Sequence, residues 1–452
     1  MSRSLITNAR ILTLHPGAPL VDGGTLVLED GVVAQVLAEP HPRDAHAEHL
    51  DAGGALVFPG LINAHTHAYS ALVRGMHASI HAPSFADLLR NLWWKLDSSL
   101  TLDDVRASAM LTALEGLRRG VTTVVDHHAS YGAIENSLEA VAEGFEAVGQ
   151  RAVVCFEVSD RLGREAADEA LAENARHAAH ARALPFRLGS MLGLHASFTL
   201  SDETLTRAAA VADAHALRVH VHVAEDRIDR VTAPDADETG VVARLQRFGL
   251  LQSGALLAHG VHLGDSELQC VAEHGAVIVH NPRSNMNNAV GRADLAAMGR
   301  AGVQVALGTD AYGTGMMQEA RVATLVQRQA PCAGDGQLVA EALLQANPHL
   351  IMPWLPGAGR VLPGCPADVV VTRYVPPTPM TAANVWDHLL FGEVESRVRS
   401  VFVAGERVLD EGRSTRIDEA EFEASCRDAA AALWKRFESA SPAWHANLGE
   451  AT

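Results

Sequence analysis

Lysine is nearly absent from this chain of 452 residues: it stands at Lys95 and Lys435 and nowhere between them. Basic residues are also outnumbered, with Lys+Arg at 36 against Asp+Glu at 54 and a net charge of −18. No basic run offsets that balance, so a nucleic-acid backbone or an anionic membrane surface would be repelled, and neither is expected as a partner. The five cysteines, Cys155, Cys270, Cys332, Cys365 and Cys426, are odd in number, scattered and without a CxxC pair. This excludes a disulfide scaffold and points to a reducing compartment. Uninterrupted apolar runs of about 18 residues are missing, which argues against a membrane-spanning helix. The opening MSRSLITNARILTLHPG has no basic stretch followed by an apolar one, so the cytoplasm is the expected location. What remains, 48% hydrophobic and 20% charged residues, is the composition of an ordinary folded protein, apart from an unusual 23 histidines.

The first 58 residues read as short strands, SLITNARILTL, GTLVLEDGVVAQVL and ALVFPG, separated by turn signals such as Pro16-Gly17 and Asp30-Gly31. After Gly60, short apolar runs alternate with Ala/Leu/Glu-rich amphipathic stretches. The runs are LINAHTH (61–67), VTTVVDHH (121–128), RAVVCFEVS (151–159), LGSMLGLHAS (188–197), LRVHVHVAE (217–225), GALLAHGVHL (254–263), GAVIVHN (275–281) and VQVALGTD (303–310). Eight buried-type strands separated by helices predict an α/β fold, a (β/α)8 TIM barrel, with a doubly wound sheet as the competing architecture. Past residue 360 the β pattern returns in PADVVVTRY and VRSVFVAGERVLDEG, followed by a helical tail. The expected organisation is residues 1–59 as the N-terminal part of a small β-sandwich and 60–360 as the catalytic barrel. Residues 361–416 would form the C-terminal part of the sandwich and 417–452 the helical tail.

Polar residues fall at the C-terminal ends of the apolar runs, where a barrel builds its active site. His65 and His67, two apart, share one face of a strand and can bind one cation together. The fifth run supplies His220, His222 and Glu225, the sixth His259 and His262, and the eighth ends in Asp310. Three imidazoles and one carboxylate, His65, His67, His222 and Asp310, would suit zinc or another first-row divalent ion such as iron, with a position left open for water. His220 lies a layer deeper than His222 and reads as a packed core histidine. Glu225, three residues beyond His222, is placed to take a proton from a water activated by the metal.

The motifs PGLINAHTH (59–67), HVAE (222–225), LLAHGVHL (256–263), VHNPRSNMNNAVG (279–291), LGTDAY (307–312) and PGCPADVVV (363–371) resemble the amidohydrolase superfamily, in the branch of cytosine deaminase, chlorohydrolases and guanine-type deaminases. Within it, LWWKLDSSLTLDDV (92–105), DHHAS (126–130), GLHASFTLSDETL (193–205) and HNPRSNMNN (280–288) are most similar to the SsnA-like aminohydrolases associated with bacterial selenium metabolism. The resemblance covers about residues 1–415. It implies the same four metal ligands, Glu225 as general acid/base, His259 as the residue that orients the attacking hydroxide, Asp310 as ligand and proton acceptor, and His195 as a substrate contact. Asn347-Pro348-His349 departs from the pattern of relatives.

Some relatives bridge two metals with a carboxylated lysine on strand four, but this chain has no lysine there and LGSMLGLHAS contains no acid, so one metal per chain is expected. Further candidate substrate contacts are His128 beside His127, Trp94 beside Trp93 on a helical lid, and Arg283 and Asn285 after strand seven. The expected function is hydrolytic deamination of a small nitrogen heterocycle of purine, pterin or pyrimidine type. The alternatives are a cyclic amide hydrolase and a non-catalytic metal-binding protein of selenium metabolism. A homo-oligomer is compatible with the sequence.

Overall fold

The computed structural model describes residues 3–14, 19–39, 44–76, 80–181, 186–232, 236–311, 313–329 and 336–441. All eight apolar runs form parallel strands of one sheet: Leu61–Thr66, Val121–His128, Arg151–Val158, Leu192–Ala196 with its forerunner Arg187–Ser190, Val219–Val223, Leu256–His259, Val277–His280 and Gln304–Leu307. Strands one to three, five, six and seven are buried at every residue, as a sheet covered on both faces requires. The sheet closes between strands eight and one. At its C-terminal rim Thr66 bridges Asp310, and the Thr309 and Asp310 amides both donate to His65 O at 3.0 Å. Deeper in the barrel, Asn347 Nδ2 donates to Ile62 O (2.7 Å) and Leu307 O (2.8 Å), and Asn347 Oδ1 accepts from Leu307 N at 2.8 Å. Asn347 thus laces the closure seam. The closed ring makes the fold a (β/α)8 barrel and rules out the doubly wound sheet.

The second sheet has nine strands and draws on both ends of the chain. Leu56–Pro59 pairs antiparallel with Val369–Thr372 in the register Val369↔Pro59, and one glycine later the first barrel strand begins. Ile6, Leu28, Val57, Val369 and Phe402 meet in the core of this sheet. A buried ion pair, Arg151 Nε to Asp368 Oδ2 at 2.8 Å, ties it to barrel strand three.

Local signals set the helix ends. Ser201 Oγ accepts from Thr204 N at 3.2 Å, capping Asp202–His215, and Thr101 with Asp104 forms a capping box on Leu102–Leu117. Between strands one and two, Phe85–Leu88 runs through a single π turn, Leu89–Trp93, into Trp94–Asp97. This lid leans over the C-terminal mouth of the barrel. The C-terminal helix Glu419–Ser439 docks beside it, with Trp434 Nε1 donating to Leu72 O at 2.9 Å. Among the described residues no helix is long and apolar enough to cross a membrane.

Candidate metal centre and active site

The strand ends bring His65, His67, His222, His259, Glu225 and Asp310 together at the mouth of the barrel, all buried except Glu225, which is mostly so. The backbone there is strained: Ala224, His259 and Asp310 have positive φ values of 48°, 76° and 56°. Such conformations cost about 1–3 kcal/mol each and persist where the fold enforces them, commonly at functional sites.

The hydrogen bonds fix which ring nitrogens carry protons. His67 Nδ1 donates to His127 O at 2.6 Å and His222 Nδ1 to His195 O at 2.9 Å. Each neutral ring therefore turns a bare Nε2 toward the other, 3.1 Å away. Two lone pairs at that separation repel unless a cation lies between them. His65 Nδ1 is 2.8 Å from His220 Nε2, and His65 Nε2 is a buried nitrogen with no hydrogen-bond partner. Asp310 Oδ1 stands 3.4 Å from His67 Nε2 and 4.0 Å from His65 Nε2. Burial holds His65 and His222 well below the usual imidazole range, which keeps both neutral. A donor set of bare imidazole nitrogens and one carboxylate, the other ring nitrogens held by carbonyls or a neighbouring ring, fits a divalent cation.

Glu225 and His259 stand beside this cluster. His259 Nδ1 is held by Asn285 Oδ1 at 2.8 Å, and its Nε2 faces Glu225 Oε2 (3.5 Å) and Asp310 Oδ2 (3.6 Å). Burial pushes the Glu225 carboxyl up to about 7 against the pull of His259, with Asp310 adding to the rise, and Asn288 Nδ2 donates to Glu225 Oε1 at 3.2 Å. A carboxyl poised near neutrality can both take and give a proton.

A cavity opens above the cluster, walled by Phe85, Leu89, Trp93 and Trp94 from the lid and by Tyr69, His195 and Glu157 from the barrel. Trp94 is buried, with its ring edge-on to His195 at 5.8 Å. His195 Nδ1 pairs with Thr199 Oγ1 at 2.7 Å, and burial drops its pKa to about 3. Trp94 and His195 thus face the cavity as the sequence suggests.

The three other expected substrate contacts do not line this cavity. His128 is fully buried, its Nε2 held by Ser130 Oγ at 2.8 Å and its ring set against Phe156, because residues 126 and 128 share the strand face opposite to His127. Arg283 pairs with Glu319 and with Gln318 Oε1 (3.2 Å) and lines a neighbouring cavity, not this one. Asn285 is buried and reaches the site only through His259.

Sequence reasoning missed Glu157, Tyr69 and Ser284. Glu157 sits in the third run, RAVVCFEVS, the only run besides the fifth with a glutamate at its C-terminal end, and that position was the available signal. Ser284 Oγ, on the short helix Pro282–Asn287, donates to Asp310 Oδ2 at 2.5 Å, a contact that no spacing reveals.

Comparison with known proteins agrees with this architecture. The Amidohydrolase family model matches residues 56–408. The chain is 31% identical over 440 residues to a 5-methylthioadenosine/S-adenosylhomocysteine deaminase of Nitratidesulfovibrio vulgaris, covering 94% of this chain and 96% of that one. It is 28% identical over 444 residues to a 5'-deoxyadenosine deaminase of Methanosarcina mazei, covering 97% and 100%. A zinc-bound adenosine deaminase from Xanthomonas campestris shares the fold with a TM-score of 0.83 at 24% identity, over 96% of this chain and 99% of that one.

Proposed function

This chain belongs to the amidohydrolase family, and from that premise we infer that it is a metal-dependent aminohydrolase that releases ammonia from a nitrogen heterocycle. The observation that carries the reading is the pair of bare nitrogens, His67 Nε2 and His222 Nε2, with Asp310 beside them and an acid and a histidine, Glu225 and His259, at their edge. His65, His67, His222 and Asp310 hold the metal. Zinc fits three nitrogens and one oxygen, and is the metal named for the Xanthomonas relative. Strand four carries neither lysine nor acid, and one oxygen of the cavity's Glu157 is taken by Arg161 at 2.7 Å, which supports one ion per chain. When bound, that ion supplies Lewis acidity, which makes water a nucleophile near neutral pH.

The chain's own residues move the protons. Glu225 takes one from the attacking water and gives it to the ring nitrogen beside the attacked carbon, so that negative charge does not build up there. His259, fixed by Asn285, orients the incoming oxygen. Asp310 relays the second water proton to the departing nitrogen, which leaves as ammonia while the carbon keeps the new oxygen. Trp93 and Trp94 offer flat apolar surface to a ring and keep bulk water out. The relatives' adenosine-type substrates support a purine-like ring, and the same chemistry would act on a pterin or pyrimidine.

Metal analysis of the purified protein, followed by an ammonia-release screen of the zinc-loaded enzyme over such heterocycles, tests the reading. Stoichiometric metal and turnover of at least one ring are expected. A fully loaded protein that releases ammonia from none would overturn it.

A further inference from the structure

Among the described residues, Glu157 is the cavity carboxylate that this chemistry leaves unused. It lies near the end of barrel strand three, is 4% exposed, and accepts from Arg161 Nη1 at Oε1 (2.7 Å). The other arm of the same guanidinium binds Asp97 at the end of the lid. One buried guanidinium between two carboxylates holds Glu157 as an anion.

Its second oxygen is different. Oε2 faces His127 Nδ1 at 3.5 Å, too long for a hydrogen bond of normal length. The His127 ring proton is engaged elsewhere: Nε2 lies 3.2 Å from Leu194 O and 3.1 Å from His220 O, so Nδ1 is bare in the neutral ring. Glu157 lines the cavity, so this second oxygen is open to a donor that a ligand brings. The position of that donor is also constrained. Ligand atoms of Glu157, His127 and His67 lie within 4.8 Å of one another, so a group bound by Glu157 lies close to one of the metal ligands. Glu225 flanks the same centre from beyond strand five, with the strand-four His195 between the two acids.

We propose that the substrate is a ring whose amino-bearing carbon lies between an N–H and a bare nitrogen, Glu157 accepting from the N–H while Glu225 protonates the bare nitrogen. This rests on the aminohydrolase reading above. The chemical class is the 2-amino-4-oxo edge of isocytosine, guanine and pterins. Water adds its oxygen to that carbon, the bond to the amino nitrogen breaks, and a cyclic urea and ammonia leave. Adenine nucleosides do not fit. Their ring nitrogens are all acceptors, and one of them, or a ring C–H, would face the Glu157 anion.

The experiment compares ammonia release by the zinc-loaded enzyme from isocytosine and guanine with that from cytosine and adenosine. A kcat/KM for isocytosine or guanine at least about 100-fold above adenosine is expected, since a site built to hydrogen-bond a donor strongly rejects a ring that lacks it. Glu157→Gln, with metal content unchanged, should narrow that preference by at least about tenfold. The wild-type preference is read whether or not the variant folds. Turnover of adenosine or cytosine as fast as isocytosine and guanine overturns this inference and leaves the aminohydrolase reading intact. Loss of a second metal equivalent in Glu157→Gln also overturns it, by assigning Glu157 and His127 to a cation. No ammonia from any heterocycle overturns both readings.

Discussion

The Nε2 atoms of His67 and His222 face each other at 3.1 Å while a backbone carbonyl holds the proton on the far side of each ring. Two residues 155 positions apart in the chain are thus fixed, by ordinary main-chain acceptors, in the tautomer that leaves both nitrogens bare for a cation. The carbonyls belong to His127 and His195, on strands two and four, so the barrel itself sets the protonation state of the site.

Removing a ligand should therefore remove the ion. His67→Ala and Asp310→Ala are expected to abolish stoichiometric divalent metal in the purified protein and to lower its melting temperature, because a metal that binds only the folded form stabilises it. Full occupancy in both variants, measured by elemental analysis, would be incompatible with the assigned ligands.

Titrating activity against bound zinc should reach its plateau at one equivalent per chain. No lysine stands anywhere between Lys95 and Lys435, strand four carries no acid, and Glu157 is engaged by Arg161. A plateau at two equivalents would contradict the mononuclear reading.

Glu225→Gln keeps the shape and one acceptor oxygen but cannot carry a proton. The variant should hold its metal and still bind product-like rings, while kcat falls by about 10² to 10⁴, the range of general acid/base catalysis. If it retains more than about a tenth of wild-type kcat, another group protonates the ring.

Arg161 is fully buried between Glu157 and Asp97, with its guanidinium 4.2 Å from the centre of the Tyr131 ring. Arg161→Met should cost about 3–5 kcal/mol of stability in urea unfolding, because two buried carboxylates lose their shared partner. A loss below about 1 kcal/mol would mean that the pair is not buried in solution as it is here.

The sequence by itself determined the eight strands, the pairing of its two β-rich ends and the residues gathered at the strand ends. These features are periodic and local: apolar runs of strand length, turn residues between them, and polar residues at the same end of each run. His65 and His67 were legible as a pair because a strand turns every second side chain to the same face. Only the closed barrel decided the rest. Which face of strand two points inward depends on closure, and that turned His127 toward the site and buried His128 behind it. Arg283, Asn285 and Ser284 lie within three positions of one another, yet one lines a second cavity, one fixes His259 and one binds Asp310. A short helix sends neighbouring side chains to different walls, so their roles follow from what each wall contains. Glu157, Arg161 and Asp97 meet because the lid folds back over strand three, a contact set by packing between segments about 60 residues apart that no local pattern encodes.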